Sequence, residues 1–416
     1  MPVIDRRGFV VASGIAASLV AAPPLRARAA AQVRSISAMT LAPDGKLVVA
    51  DWRAGALHLL DLPAAPPASS DRAFNLTALD AALAKAGGSR EARATALVWH
   101  AASGRAVIAT ESGGRVLIAL ALPDGTVSVH DPDTWRSASF ALTDAPGEGM
   151  LWGTTDVRSL TVTSLAWHDD ELLVAGIANA DFASTLRRIA YPFAGAISAA
   201  RIEMYHAVHN QIETRAPIRA MTMVTLGETP HLLAAYTCTP LVTVPFADLA
   251  DGAKVRAKTI AELGFGNTPL SITPFAIEYE GERSQWALVA NAAKSADLIP
   301  LPAIAAAAAG DGLRTPVKPP FAQFAGVQAM PVPLGNLVAL VDQSAQFLLA
   351  LRRDPASGAL ELVSFRKGAF FRLSDFINEY DMPGYDYPAE DTFQQTYIRP
   401  FHAVMKRDEG HADLVR

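Results

Sequence analysis

The sequence predicts an all-β fold, a six-bladed β-propeller with short helical insertions between the blades. Three observations favour this fold: half of the residues are hydrophobic, short apolar segments alternate with turn residues, and the pattern recurs along the chain. In residues 36–62, three apolar segments are separated by the turn signals Pro-Asp-Gly at residues 43–45 and Arg-Ala-Gly at residues 53–55. We therefore expect three short antiparallel strands in this first copy.

The pattern returns in five further segments, which begin at Thr95, Thr163, Arg219, Leu270 and Val327. Aligning the copies places a small residue in the first strand of each: Ala38, Ala96, Ser164, Ala220, Ser271 and Ala329. A spacing of roughly 50–70 residues leaves room for a fourth strand in each copy, and such copies can bury both sheet faces by packing around an axis. The alternative, a β-sandwich with insertions, does not repeat at a constant period.

Two segments interrupt the β pattern. Residues 75–88 carry Thr77 with Asp80 three residues later, then alanines and leucines, and end in two glycines, which predicts a capped helix. Residues 301–312 are rich in alanine and predict a short helix or a soft linker. Both segments fall between copies, where insertions are tolerated.

The first 31 residues predict an export signal. Arg6 and Arg7 precede Phe9, an apolar run covers residues 10–22, and small residues at 27–29 suit a signal peptidase. The segment resembles a bacterial twin-arginine signal peptide, which implies export of the folded protein to the periplasm, often with a cofactor bound. The apolar run is too short to span a bilayer, so we expect removal rather than the alternative of an uncleaved amphipathic anchor.

Composition limits the classes of partner. The chain carries 36 Lys and Arg against 41 Asp and Glu, a net charge of −5, and this balance disfavours a nucleic-acid partner. Cys238 is the only cysteine, so no intramolecular disulfide can form. No apolar stretch approaches the length of a membrane span, and we expect no stable membrane insertion after signal removal.

Residues 41–62 resemble a blade of the NHL-repeat and gluconolactonase-like six-bladed propellers, and residues 231–245 with 258–270 resemble a group of exported bacterial propellers. The lactonase resemblance implies a divalent cation held by a glutamate at the start of the first inner strand, with asparagine and aspartate from other blades. Here Ser35-Ile36-Ser37 stands at the place of the glutamate. Asn291 and Asp342, which are expected to end second strands, match the other two ligands.

Propeller geometry predicts where polar side chains converge. Loops between second and third strands open on the same face as the connections between copies, so residues distant in sequence meet there. The candidate ligand-binding residues on this face are Asp51, Arg53, Arg215, Arg219, Asn291 and Asp342. The two arginines of the connection into the fourth copy could clamp a carboxylate or phosphate. Arg219 could instead pair with an acidic neighbour across the channel.

The same connection contains a candidate metal site. His206, His209 and Glu213 have a spacing that could hold a divalent metal such as zinc, since imidazole nitrogens and a carboxylate suit that ion. The alternative is a set of hydrogen-bonded surface groups.

The tail, residues 368–416, differs in composition from the rest. It holds four of the eight tyrosines, interleaved with acidic residues, and such aromatics need a surface on which to pack. We expect a strap across the propeller, or alternatively a lid or a partner-docking surface.

These features predict a periplasmic propeller that binds a small-molecule ligand, a metal or a periplasmic protein at the channel mouth near residues 206–219. Such a protein could act as an accessory to a periplasmic redox or metabolic enzyme. One alternative is a metal-dependent hydrolase of the lactonase type, with Asn291, Asp342 and Glu213 as ligands and a metal-bound water as nucleophile. The other is a structural or docking propeller.

The export hypothesis predicts that Arg6→Lys/Arg7→Lys retains the precursor in the cytoplasm, because the paired arginines are the feature that defines this signal. Cell fractionation followed by intact-mass measurement of the periplasmic protein checks this. The matched control is Arg26→Lys/Arg28→Lys in the same segment, and we expect it to be exported normally. Normal export of both variants would contradict the hypothesis.

Overall fold

The computed structural model describes residues 32–368, except residues 70, 194, 239, 265–266, 280 and 318–324. The predicted signal peptide and residues 369–416 of the tail lie outside the described residues. Among the residues described, no helix has the length and apolar character required to cross a membrane.

Short strands dominate the described chain. The first half contains β1 (Ala38–Leu41), β2 (Leu47–Asp51), β3 (Ala56–Leu60), β4 (Asn75–Leu76), α1 (Leu79–Lys85), β5 (Arg93–His100), β6 (Arg105–Ser112), β7 (Arg115–Ala121), β8 (Val127–His130), β9 (Ser137–Ala141), β10 (Leu151–Trp152), β11 (Thr155–Asp156), β12 (Ser164–His168), β13 (Glu171–Ile177), β14 (Ser184–Ala190) and β15 (Ser198–His206). The second half contains β16 (Gln211–Glu213), β17 (Ile218–Leu226), β18 (Thr229–Tyr236), β19 (Pro240–Pro245), β20 (Lys254–Glu262), β21 (Pro269–Tyr279), β22 (Glu282–Asn291), β23 (Ala296–Pro300), α2 (Leu301–Ala309), β24 (Ala325–Gly326), β25 (Met330–Val332), β26 (Leu337–Asp342), β27 (Phe347–Arg353) and β28 (Leu360–Arg366).

Small residues occupy a common position at the start of the first strands. Five of the predicted set each lie opposite an alanine of the second strand: Ala38 with Ala50, Ala96 with Ala109, Ser164 with Ala175, Ala220 with Ala235, and Ser271 with Ala290. The register shifts just before three of these pairs, which marks a β-bulge at the same point of each sheet. The predicted alignment is therefore confirmed for five copies.

The sixth copy is displaced from its prediction. Ala329 precedes β25, which is the outermost strand of the sheet before it, and the first strand of the last sheet is β26. Ala339 in β26 takes the common position, opposite Leu351. The physical reason is that α2 and the segment after it are inserted between the third and fourth strands of one sheet, so the next copy begins later.

The strands form four four-stranded sheets, one ten-stranded sheet and a two-stranded hairpin, β10–β11. The four-stranded sheets have the orders β1-β2-β3-β9, β5-β6-β7-β8, β21-β22-β23-β25 and β26-β27-β28-β4. The ten-stranded sheet contains two antiparallel runs, β12–β15 and β17–β20, which are joined where β15 lies parallel to β20. The small strands β16 and β24 pair with β15 and β20 at its margin.

The first strands of these sheets contact one another in a closed cycle: β1 with β5, β5 with β26, β26 with β21, β21 with β17, β17 with β12, and β12 with β1. A hydrophobic cluster fills each contact between neighbours in this cycle. Each sheet thereby buries both faces, and second strands such as β2 are buried along their whole length. The fold is an all-β propeller.

The order of sheets around the axis differs from their order in the chain. The sheet of β5–β8 lies between the sheet of β1 and the sheet of β26, which is the last in sequence. After β3 the chain supplies β4 to the edge of the last sheet, completes β5–β8, and then supplies β9 to the edge of the first. Two outer strands are thus contributed by segments remote from the sheets that they complete, which ties the ends of the propeller together.

Helices occur at both predicted insertions, but only α1 lies between copies as predicted. The predicted position of α2 is wrong, because it lies within one sheet, between its third strand β23 and its fourth strand β25. In α1 the N-cap residue is Ala78, without a side-chain capping bond, so capping by Thr77 is wrong, whereas the amides of Gly87 and Gly88 bond carbonyls of the last turn as predicted. The second helix, α2, packs Ile304 against the cluster between β17–β20 and β21–β25.

One buried cation holds the segment that leads from β9 to β12. Arg187 in β14 is fully buried, pairs with Asp144 at 2.8 Å and donates to the carbonyls of Thr161 and Ile177. The Thr161 carbonyl also lies against Gly176, where a Cβ would be 2.1 Å from its oxygen. The close approach of the two backbones therefore requires glycine at position 176.

We predict that Gly176→Ala lowers the free energy of unfolding by about 3 kcal/mol or more, because the added methyl group must displace the Thr161 backbone and the groups bonded to it. Urea denaturation checks this. Gly147→Ala is the control, since no atom of the described residues lies within 4 Å of its added Cβ, and its effect should stay within about 0.5 kcal/mol. Equal stabilities of the two variants would contradict the described packing.

Candidate functional site

Residues 206–219 cross from the outside of the propeller to its axis. The strand β15 is the fourth strand of its run and ends at His206. A turn with Asn210 in the left-handed region returns the chain as β16, which pairs with the end of β15. The Thr214 carbonyl then accepts from the Ser184 amide, and the innermost strand β17 begins at Ile218. The histidines therefore lie at the outer strands rather than at the channel mouth, which corrects the predicted location.

The end of the neighbouring run β17–β20 lies next to the end of β15. The parallel pairing of β15 with β20 runs from Arg201–Lys254 to Met204–Ala257, and the Thr259 hydroxyl donates to the Tyr205 carbonyl. At the end of β20, Glu262 accepts a hydrogen bond from the amide of Ala207 at 2.8 Å. We call this junction of β15, β16 and β20 the seam.

Within the described residues, the seam gathers the three predicted metal ligands. The Nδ1 atoms of His206 and His209 each lie 2.8 Å from Oε1 of Glu213, and one ligand atom from each residue falls within 4.8 Å of the others. The two imidazole rings are in contact, with their centroids 3.8 Å apart and their planes tilted by 38°. His206 is buried and His209 is exposed, so the group opens to solvent on one side.

A second carboxylate lies on the buried side. Nε2 of His206 is 3.7 Å from Oε2 of Glu262, and both residues are 1% exposed. Among the residues that the structure describes, neither of these two atoms has a hydrogen-bond partner. Buried polar atoms without partners are rare because each costs desolvation energy, so this pair points to a function or an additional ligand.

The two carboxyls have opposite electrostatic environments. Burial alone would raise the pKa of Glu213, but hydrogen bonds from His206, His209 and Gln211 outweigh it and lower that pKa to about 2. Burial raises the pKa of Glu262, although the nearby charge of His206 acts against this. The pKa of the Tyr236 hydroxyl, fully buried close by, is raised by burial and by the charge of Glu213. Glu213 is therefore the more acidic of the two carboxyls.

The two predicted arginines lie apart from this group. Arg215 is exposed and donates to the carbonyl of Asp181 in the loop between β13 and β14. Arg219 lies at the bulge of β17, and its buried Nε has no hydrogen-bond partner within the described part of the chain. Burial lowers its pKa. No ion pair to Arg219 occurs among the residues that the structure describes, so anion binding there stays a prediction.

The residues of the first sheet are engaged with their own backbone and neighbours. Asp51 is fully buried and accepts from the amides of Arg34 and Ala54 and from the Ser35 hydroxyl. Arg53 lies over the Trp52 ring, and its guanidinium is 3.5 Å from Glu111 of the adjacent sheet. These contacts stabilise the loops.

Asn291 and Asp342 lie on opposite faces of the propeller. Asn291 ends the second strand β22 as predicted, and its amide donates to Asp297, which also pairs with Lys294. Asp342 ends β26, a first strand rather than a second strand, and pairs with Lys367 at 2.8 Å. A first strand runs away from the face on which the loop after β22 lies, so the predicted position of Asp342 is wrong. The two residues cannot share one cation.

Sequence reasoning missed Glu262. Its only signal is a glutamate within an apolar strand, between Ala261 and Leu263, since a buried carboxylate requires a partner. The partner depends on the parallel pairing of two fourth strands, which periodicity does not predict.

Comparison with known proteins adds little to this geometry. No protein-family model and no curated protein matches the sequence. Solved structures that match part of this chain include Drosophila semaphorin 1b extracellular domains 1–2 (8% identity, 79% of this chain and 72% of that chain, TM-score 0.33). They also include the PQQ-bound aldose sugar dehydrogenase from Streptomyces coelicolor (11%, 83% and 99%, 0.28) and a glucose dehydrogenase (10%, 80% and 98%, 0.30). At these scores the similarities carry no argument about activity.

The pKa of Glu213 predicts a pH-dependent contribution to stability. Its pKa falls from an ordinary 4.5 to about 2 on folding, so its ionised form stabilises the protein above pH 4.5, and this contribution is lost as the pH falls towards 2. We expect Glu213→Gln to lower the free energy of unfolding by about 2 kcal/mol at pH 7 and by nothing near pH 2.

Urea denaturation in the presence of a chelator at several pH values measures this difference. Glu148→Gln, at an exposed glutamate, is the control and should match the wild type throughout. A Glu213→Gln effect of constant size across the range would contradict the assignment.

Proposed function

We propose that this chain is an exported, periplasmic six-bladed propeller that binds a divalent transition metal at the seam, through His206, His209 and Glu213. In this proposal the runs β12–β15 and β17–β20 count as two blades joined by their outer strands. The observation that carries the proposal is the convergence of two Nδ1 atoms on one carboxylate oxygen, each at 2.8 Å.

The donor chemistry supports a borderline transition metal. Two imidazoles and one carboxylate are the ligand types that zinc takes in sites with an open fourth position, whereas calcium and magnesium prefer sets made of oxygen. The 44% exposed side chain of His209 leaves one side of the group accessible to solvent. A small molecule with an oxygen or nitrogen donor could complete the coordination there, so ligand binding through the metal is the function proposed.

We do not extend the proposal to a lactonase-type hydrolase, because its ligand set is not brought together. Asn291 donates its amide to a buried aspartate, and Asp342 lies at the other end of a strand from that face. Glu213 is at the outer strands, remote from both in the strand order.

One further observation favours a docking function as a second candidate. The hairpin β10–β11 exposes Met150, Leu151 and Trp152 by 46%, 64% and 62% of their surfaces, on a segment that lies against the loop between β2 and β3. Exposed aromatic and aliphatic groups of this kind are typical of interface anchors. We propose that the partner is a periplasmic redox or metabolic enzyme, to which this chain serves as an accessory protein.

A photocrosslinking residue placed at Trp152 tests the docking function in the producing cell. The control position is Asp124, an exposed residue of the turn between β7 and β8. We expect one adduct of defined mass from position 152 and none from position 124, because Met150, Leu151 and Trp152 expose apolar surface around position 152, whereas Asp124 lies in a polar turn. The same adducts from both positions, or none from position 152, would exclude this second function.

The metal proposal predicts one zinc equivalent per chain in the folded protein, lost in His206→Ala/His209→Ala because only one carboxylate ligand remains. Native mass spectrometry with elemental analysis measures it. His231→Ala is the control, since His231 lies outside the seam and bonds the carbonyl of Thr229, and it should retain the metal. Absence of stoichiometric metal from the wild type would overturn the proposal, as would full retention in the double variant.

A further inference from the structure

Glu262 links the two runs of the ten-stranded sheet at the seam. It ends β20, yet its Oε1 accepts from the amide of Ala207 beyond the end of β15. Its side chain therefore crosses to the neighbouring run and is fixed there by a backbone group. Because the amide bonds Oε1, the second oxygen, Oε2, has a defined position, 3.7 Å from Nε2 of His206.

The position of His206 between two carboxylates makes its tautomer important. Nδ1 faces Glu213 at 2.8 Å and Nε2 faces Glu262, so each ring nitrogen has its own acidic neighbour. A neutral imidazole carries one proton, and a nitrogen that binds a metal must be the one without it. If Nδ1 is the metal ligand, the proton resides on Nε2 and needs an acceptor in the buried interior.

The buried side of the ring offers one such acceptor. Nε2 of His206 and Oε2 of Glu262 are both buried, and neither has another hydrogen-bond partner in the part of the chain that is described. A slight approach of the two side chains would turn the 3.7 Å separation into a hydrogen bond and would satisfy both atoms at once. The pair therefore has the arrangement expected when a buried carboxylate orients a metal-binding histidine.

We propose that Glu262 is a positioning residue that accepts the Nε2 proton of His206 and thereby presents Nδ1 to the metal. The inference rests on the proposed function, since it assigns the residue that holds the metal-binding imidazole of the same site. Glu213 and His209 complete the ligand set from the exposed side. The seam then has a direct role in metal binding. Glu262, which orients the imidazole, comes from the run β17–β20, whereas His206, which binds the metal, comes from the run β12–β15.

The charge of Glu262 also bears on which metal is held. An acceptor behind the imidazole increases the electron density on the ligating nitrogen, which strengthens binding to zinc, nickel or cobalt. Together with the Glu213 carboxylate it balances the two positive charges of the ion. The site is therefore suited to a divalent rather than a monovalent cation.

The test compares Glu262→Gln with Glu203→Gln. Glutamine preserves the shape and can still accept from the Ala207 amide, but it removes the negative charge that faces Nε2. Glu203 is the matched control because it also spans the seam, where its carboxylate pairs with Arg256 rather than with His206. Zinc affinity is measured by competition with a chromophoric chelator, and the ligand field is measured by the visible spectrum of the cobalt-loaded protein.

We expect Glu262→Gln to weaken zinc binding about 10–100-fold and to shift the cobalt bands, whereas Glu203→Gln changes neither. In addition, 1H–15N NMR of the zinc-loaded wild type should show the His206 proton on Nε2. A proton on Nδ1, or wild-type affinity and spectrum in Glu262→Gln, would overturn the inference while the metal site itself stands. A wild type that binds no stoichiometric metal would instead overturn the proposed function, and this inference with it.

Discussion

The parallel pairing of β15 with β20 is the interaction on which the seam depends. Fourth strands of neighbouring propeller sheets ordinarily remain at the outer edge, where unpaired backbone groups face solvent. Here Arg201–Met204 pairs with Lys254–Ala257, and the two strands continue until His206 and Glu262 meet. Because the pairing fixes the relative height of the strands, it also fixes which side chain of one run faces the ring of the other.

Much of the fold follows from the sequence because it depends on local signals. Turn residues and apolar segments define hairpins such as β1–β2, and the small residue at the common position recurs because the first two strands approach closely there. The contribution of β4 to the last sheet and of β9 to the first sheet does not follow from the sequence. Edge strands of two and five residues carry almost no pattern of their own. Their partners are set by tertiary packing, as Asn75–Leu76 beside β28 illustrates. The last copy was predicted too early in the chain for the same reason, since its predicted first strand corresponds to the short edge strand β25.

The candidate site was predictable to the extent that its proposed ligands are close in sequence. His206, His209 and Glu213 lie on one short hairpin, so their convergence depends only on a turn at Asn210 and the pairing of β16 with β15. Their radial position was wrong because a connection between blades starts at the outermost strand and reaches the axis only at its end. Glu262 depends on a contact between strands more than 50 residues apart, and no local pattern specifies it. The predicted position of Asp342 was wrong for a related reason. It required β26 to be the second strand of its sheet, but the insertion at α2 makes β26 the first.

We propose that the seam binds a transition metal through nitrogen and oxygen atoms of the hairpin formed by β15 and β16. X-ray absorption spectroscopy at the zinc edge of the stoichiometrically loaded protein tests it most directly, because it counts imidazole ligands and separates them from sulfur. We expect two imidazole nitrogens at about 2.0 Å, with oxygen donors in the remaining positions. A spectrum with a sulfur ligand, which only Cys238 or a methionine could supply, or with fewer than two imidazoles, would contradict it.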